Sequence, residues 1–414
     1  LVRNAKVKGL DLLGTGDFTH PLWLKELKSV LTDENKNGFF TANINSKLDV
    51  RFLLTGEVCT NFKFEGKTKR IHHLLLSPSF DHVDQINDRL AGFGDLEQDG
   101  RPNLDMSAVE LVEEVLGISR MNEVIPAHVW TPWFSLFGAF SGFDSVSDCY
   151  QEKSGEIHAL ETGLSSDPPM NWRLSELDRY VLVSNSDSHS PWDWRLGREA
   201  NLFETVEPTY ELLINSIRMN DRSVLKGTIE VDPAYGKYHW SGHRKCDFSV
   251  PPEKAVELNG ICPICRKRMT KGVDQRVLEL SDRSSGFIPK DHIPFKHLLP
   301  LSEIIASVTG SSSLYNPSVK KVHSRLVSNL GTEFQVLLYS SRENIAKLVG
   351  PEIANAILNV RQDKLEVIPG YDGVYGQLVI TTVSDEDVAR KKQSDGETSQ
   401  TIKDDFNPSL ENYL

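Results

Sequence analysis

The run Tyr180-Val181-Leu182-Val183-Ser184-Asn185-Ser186-Asp187-Ser188-His189-Ser190 sends a short apolar strand into a polar end that carries a carboxylate and an imidazole. Two donors at i and i+2 on extended backbone point the same way, so one pocket can receive both. The same plan recurs upstream. Apolar runs at Gly9–Gly14, Val50–Thr55, Ile71–Leu76 and Val124–His128 are bounded by turn residues or followed by a helix-like segment such as Ser107–Leu116. That alternation is the βα rhythm of a parallel sheet or barrel, in which chemistry gathers at the C-terminal strand ends. Asp17, Glu57, His128 and the Asp187/His189 pair all fall at such ends.

Composition narrows the class. The 414 residues include 58 acidic and 46 basic side chains, a formal charge of −12, with 39% hydrophobic residues and five cysteines. A uniformly basic nucleic-acid coat carries the opposite sign, because phosphate affinity comes largely from Lys and Arg displacing counterions. No stretch approaches the roughly 20 apolar residues that span a bilayer, and an odd, clustered cysteine set is no disulfide framework. The reading is a cytoplasmic, nucleoid-associated protein with no membrane partner. No Gly-x4-Gly-Lys-Ser/Thr loop for a nucleotide phosphate occurs.

Four modules are expected: an α/β metallohydrolase domain over residues 1–233, a small zinc-binding module over 234–283, a mostly helical domain over 284–383 and a disordered tail over 384–414. The second holds ten basic against six acidic residues and three of the five cysteines. The third rests on amphipathic segments at Leu299–Val308, Ser318–Leu330 and Arg342–Val360, and closes with Pro369-Gly370-Tyr371-Asp372-Gly373-Val374-Tyr375-Gly376.

Asp17, His20, Glu57, His72, His73, His128, Asp187 and His189 supply oxygen and imidazole donors along one sheet. Divalent ions held by such donors lower the pKa of a bound water and clamp phosphate oxygens. The succession Asp17, Thr55-Gly56-Glu57-Val58, Ile71-His72-His73-Leu74-Leu75-Leu76, Pro126-Ala127-His128 and Asp187-Ser188-His189 resembles the polymerase-and-histidinol-phosphatase (PHP) fold, a distorted β/α barrel. With Gly14-Thr15-Gly16-Asp17-Phe18-Thr19-His20-Pro21, the zinc module and the closing Pro-Gly-Tyr run, the likeness narrows to archaeal-type endonuclease Q over roughly residues 1–383.

That resemblance implies hydrolysis of the phosphodiester 5′ to deaminated bases (uracil, hypoxanthine, xanthine) or abasic sites, with two or three catalytic divalent metals (Zn, Mn or Mg). It implies Asp17, Glu57, His72, His128, Asp187 and His189 as ligands, with Glu57 bridging and Asp187 the residue whose loss abolishes turnover. Neighbours on a strand alternate faces, so only one of His72 and His73 reaches the pocket, and the resemblance favours His72. Glu161 stands open between lining the pocket and a structural role. The family's first motif, His-x-His, does not occur, and the chain starts at Leu1. A fragment is expected; the alternative is a catalytically silent adaptor, and a small-molecule phosphatase is a further rival.

His243-x2-Cys246 and Cys262-x2-Cys265 form two knuckles that close one tetrahedral zinc with no open position, a structural site. His239 is the competing fourth ligand; His243 repeats the x2 spacing. Arg266, Lys267, Arg268 and Lys271 beside the knuckles are expected to contact damaged DNA. Testing one altered base requires taking it out of the stack, and Trp130, Trp133, Phe134 and Phe137 are wall or wedge candidates whose plain explanation is a packed core. At the C-terminus, Leu410, Tyr413 and Leu414 resemble the anchors of a PCNA-like sliding-clamp-binding peptide.

Overall fold

In the computed structural model, residues 1–33, 35–43, 49–98, 100–364 and 366–379 are described. They form two compact units. The first holds residues 1–6, 10–298 and 367–377, and the second, within the described residues, 7–9, 299–364, 366 and 378–379. The cysteine module at 234–283 therefore belongs to the first unit and is not a separate body. The tail with Leu410, Tyr413 and Leu414 lies outside the described residues. Among the described residues no helix is long and apolar enough to cross a membrane.

The first unit is a mixed α/β structure. Strands β1 (Leu12–Gly14), β2 (Leu31–Thr32), β3 (Phe40–Ala42), β4 (Arg51–Phe64), β5 (Lys67–Ser77), β6 (Asn103–Leu104) and β7 (Glu123–Pro126) make one sheet. Its path runs β2-β3-β4-β5-β7, with β1 and β6 each parallel to β4. The expected parallel rhythm fails at its centre, where β4 and β5 are antiparallel from Leu54↔Ser77 to Phe64↔Lys67. Their only link is Glu65-Gly66, with φ of 49° and 77°. A two-residue turn with both φ positive is the tight hairpin connection and is far too short for a parallel crossover.

Parallel pairing does hold where the opening stretch lies. β8 (Ala159–Glu161) pairs with β9 (Val181–Val183), placing Glu161 beside Val183. β10 (Ala200–Phe203) and β11 (Leu225–Glu230) are antiparallel; β12 (Ser241–His243) and β13 (Phe248–Val250) form a hairpin; β14 (Phe295–His297) runs parallel to β11. Helices Phe80–Leu90 and Ala108–Ile118 set Val83, Ile86 and Leu90, and Leu111, Val112 and Val115, into the same core as Leu54, Val58 and Leu75. Ser107 and Glu110 start the second of these with a reciprocal capping box, satisfying two otherwise orphaned N–H groups.

The second unit contains helices Leu301–Thr309, Pro317–Leu330, Glu333–Leu338, Arg342–Val349 and Pro351–Arg361. The predicted continuous run Arg342–Val360 is two helices, because Gly350 (φ 97°) ends one and Pro351 starts the next. Proline lacks the donor a continuing helix needs but suits a first turn. Within this unit Lys8 Nζ lies 2.6 Å from Glu333 Oε1, both side chains 1% exposed.

Candidate metal centre

Glu57 on β4, His72 on β5 and His128 just past β7 bring three ligand atoms within 4.8 Å of one another. His72 Nδ1 and His128 Nε2 lie 3.0 and 3.3 Å from the same oxygen, Glu57 Oε1, and 3.1 Å from each other. Burial raises the Glu57 carboxyl, but His128, His72 and Arg101 together hold it well below the usual range. Burial pushes His72 down to about 4, leaving its ring a neutral donor. One carboxylate and two imidazoles converging on a common point fit a borderline divalent cation.

Asp17, Asp187 and His189 ring this trio. The Asp17 loop is tied to β4: the Gly16 N–H donates to Thr55 Oγ1 (2.8 Å), the Thr55 N–H to Thr15 Oγ1 (3.0 Å) and the Phe18 N–H to the Thr55 carbonyl (3.2 Å). Burial and the neighbouring Glu57 raise the Asp17 carboxyl. Asp187 Oδ1 lies 2.8 Å from His189 Nε2. The backbone here is not extended as the i, i+2 argument assumed, for Asp187 and His189 have φ of 41° and 44°. Asp17 and His128 share that conformation at 45° and 33°. Four non-glycine residues in the left-handed region, each costing on the order of 1 kcal/mol or more, mark a place where geometry is kept against local preference.

His128 is braced from below. Its N–H donates to Glu161 Oε2 (2.8 Å), while Asn185 Nδ2 donates to Glu161 Oε1 (2.8 Å). Burial lifts Glu161 to about 7, and it stands behind the histidine, outside the tight donor group. Gly163 (φ 61°) lies so close that a Cβ there would come 2.6 Å from His128 Cβ. His73 is on the opposite face, buried between Thr60 Oγ1 and the Tyr150 hydroxyl, each 2.9 Å away. His20 occupies the N-cap position of helix Pro21–Val30. Trp130 and Phe137 are fully buried, whereas Trp133 and Phe134 are exposed.

Sequence reasoning missed Arg101. Its Nε lies 3.0 Å from Glu57 Oε1, and its Nη2 lies 2.7 Å from His189 Nε2 and 3.5 Å from Asp187 Oδ1. Surrounding carboxylates keep its charge despite burial. Gly100-Arg101-Pro102 reads as an ordinary turn, and only the pairing of β6 with β4 carries it to the donors.

The second group is sulfur-rich. His243, Cys246, Cys262 and Cys265 bring their ligand atoms within 4.8 Å of one another, and His239 is not among them. His243 Nδ1 is 3.2 Å from both Cys246 Sγ and Cys265 Sγ. All five cysteines are free thiols. Burial raises Cys262, but the N–H groups of Cys265 and Ile264 with His243 outweigh it, drawing the thiol down to about 6. Three thiols and an imidazole at these separations fit tetrahedral zinc. Arg266, Lys267 and Arg268 are exposed, while both Glu279 oxygens accept from Lys271 Nζ at 2.6 Å.

Fold and donors together define a mixed α/β protein that carries a carboxylate–imidazole cluster and a thiol–imidazole cluster. The chain is 35% identical to the lesion-specific endonuclease PfuEndoQ from Pyrococcus furiosus, covering 94% of this chain and 92% of that one at a TM-score of 0.81. A solved endonuclease Q complex with a 27-mer duplex bearing an abasic lesion matches at 35% identity and a TM-score of 0.80, covering 93% and 91%. This chain belongs to the endonuclease Q family. Residues 300–364 match the family model of the MJ0043 C-terminal domain. Uncharacterized protein MJ0043 of Methanocaldococcus jannaschii is 34% identical over 254 residues, 60% of this chain but only 31% of that protein, so the match spans about a third of it. Uncharacterized protein YqxK of Bacillus subtilis is 28% identical over 385 residues, 91% of each.

Proposed function

We propose that this chain is a metal-dependent DNA repair endonuclease that cuts the phosphodiester 5′ to a deaminated base or an abasic site. The likeness to a lesion-specific endonuclease over nearly its whole length carries the reading; the Glu57/His72/His128 cluster supplies the chemistry. In this reading the first unit is a distorted β/α barrel of PHP type.

Glu57, His72 and His128 hold one cation, and Asp17, Asp187 and His189 extend the site to two or three. Divalent ions held by these donors would supply a nucleophilic water near neutral pH and neutralise charge on the phosphate. Glu161 keeps the His128 backbone in place, and Arg101 offers a fixed guanidinium to phosphate oxygens, which planar donor pairs match. Four knuckle donors hold structural zinc, and Arg266, Lys267 and Arg268 face DNA. Leu410, Tyr413 and Leu414 are proposed to engage a sliding clamp.

End-labelled duplexes with one uracil, hypoxanthine or abasic site, incubated with Mg²⁺ or Mn²⁺, test the reading. A nick 5′ to the lesion that Asp187→Ala abolishes is expected; no lesion-dependent nick overturns it. One observation favours a second reading, lesion binding without turnover: Arg101 engages Glu57, Asp187 and His189 together. Tight abasic-site binding with no nick in any metal is that reading's outcome.

A further inference from the structure

The loop at 131–144 covers His72, and its outer surface has no role in the site below. Its aromatic residues divide sharply. Trp130, just before it, and Phe137 pack in the core with ring centroids 4.7 Å apart, both 0% exposed. Trp133, Phe134 and Phe140 are 36%, 38% and 52% exposed. Trp133 and Phe140 lie parallel, 4.9 Å apart at 13°, and Trp133 meets Tyr238 edge-on. Phe134 stacks on His72 at 5.3 Å.

This ledge is rigidly held. Phe134 has φ of 62°, which a bulky aromatic adopts only under constraint. The His72 N–H donates to the Phe134 carbonyl (2.8 Å), and the Phe134 N–H donates to Ser141 Oγ (2.9 Å). From the helix Val273–Leu280, Arg276 donates to the carbonyls of Phe137 and Phe143, each at 3.0 Å. Rings fixed in place and still exposed stack on a ligand without an ordering cost.

Beside the ledge is the tip of the β4–β5 hairpin. Residues 63–70 hold four basic side chains, Lys63, Lys67, Lys69 and Arg70, against Glu65 alone. Lys69 Nζ is occupied by the Gly142 carbonyl, but Lys63 and Arg70, which the register puts on one face of the hairpin, and Lys67, on the other, are exposed. Among the described residues no ion pair engages these three. The Arg70 guanidinium lies 5.8 Å from the Phe134 ring centre and its Nε donates to Asn61 Oδ1 at 3.5 Å, while the Arg70 backbone N–H donates to the Ser141 carbonyl at 3.4 Å. In a chain of net charge −12, unpaired cations beside parallel rings select a polyanion that also carries flat π-faces. An apolar partner explains the rings and not the cations.

We infer that the 131–144 loop and the hairpin tip form a nucleic-acid docking surface, resting on the endonuclease reading. Trp133, Phe134 and Phe140 stack with an unpaired nucleobase beside the metal centre, and Arg70, with Lys63 on the same hairpin face, meets the phosphates around it. Base–aromatic stacking contributes about 1–3 kcal/mol per base, and each phosphate contact adds about 0.9 to the slope of log affinity against log salt.

Fluorescence anisotropy of a labelled abasic duplex and its intact counterpart, without added Mg²⁺ or Mn²⁺, tests both parts. A Lys63→Gln/Arg70→Gln variant is expected to bind both duplexes more weakly, with the salt slope lowered by about 2. Phe140→Ala, at an exposed position, is expected to lose about 5- to 150-fold in affinity for the abasic duplex alone, with Phe140→Trp restoring it. Unchanged slope and unchanged discrimination, in a parent chain that nicks abasic DNA, overturn the docking surface and leave the endonuclease reading intact. A parent chain that neither binds nor nicks abasic DNA overturns both.

Discussion

Two residues, Gly163 and Lys8, show how narrowly single positions are specified. A Cβ at Gly163 meets His128 Cβ at 2.6 Å in a backbone that L side chains rarely adopt. Gly163→Ala is expected to lower stability by about 1–3 kcal/mol and to weaken metal uptake at the Glu57 cluster, read by thermal melting and metal titration. Lys8 is the cation for Glu333, whose other oxygen lies 3.0 Å from His323 Nε2. Burial alone would raise that carboxyl; Lys8 and His323 bring it to about 2. Because the folded value is depressed, the contribution is present above about pH 4.5 and lost as pH falls towards 2. Lys8→Met strands a buried carboxylate, with an expected cost of about 3–5 kcal/mol at neutral pH and a flatter acid limb in denaturant melts.

At the level of elements, the sequence showed where strands end better than how they pair. Asp17, His128 and Asp187 were legible because an apolar run stopping at a donor is a local signal; Glu57, expected at a strand end as well, lies inside β4, which runs on to Phe64. The β4–β5 hairpin was not legible, since polar Lys63 to Arg70 broke the apolar pattern that defines a strand, and the cross-strand partner sets its length. Arg101 was invisible for a related reason: its role depends on a two-residue strand, β6, pairing with distant β4. The knuckles were legible because both ligand pairs repeat one spacing. Cys262→Ser is expected to bind one zinc equivalent fewer by elemental analysis, and to loosen residues 241–270 in hydrogen exchange while β4 and β5 keep their protection.

For the molecule as a whole, the sequence reading anticipated α/β structure followed by helices, and the described residues contain both. It separated the cysteine module by composition, whereas packing joins it to the first unit; Arg276 and Asp144, 2.5 Å apart, are one such tie. Composition reports local chemistry, and tertiary contacts decide what folds together. The net charge of −12 likewise averages over distinct surfaces, from buried carboxylates around the donors to the cationic hairpin tip.

The central claim is that the Glu57, His72 and His128 donors form the metal centre of a nuclease. Its most direct test follows metal content and nicking of an abasic duplex together in Glu57→Gln. The account predicts a fall in nicking on the order of 100-fold or more, matched by loss of metal from this cluster while the knuckle zinc remains. Full nicking with metal retained in Glu57→Gln would contradict it.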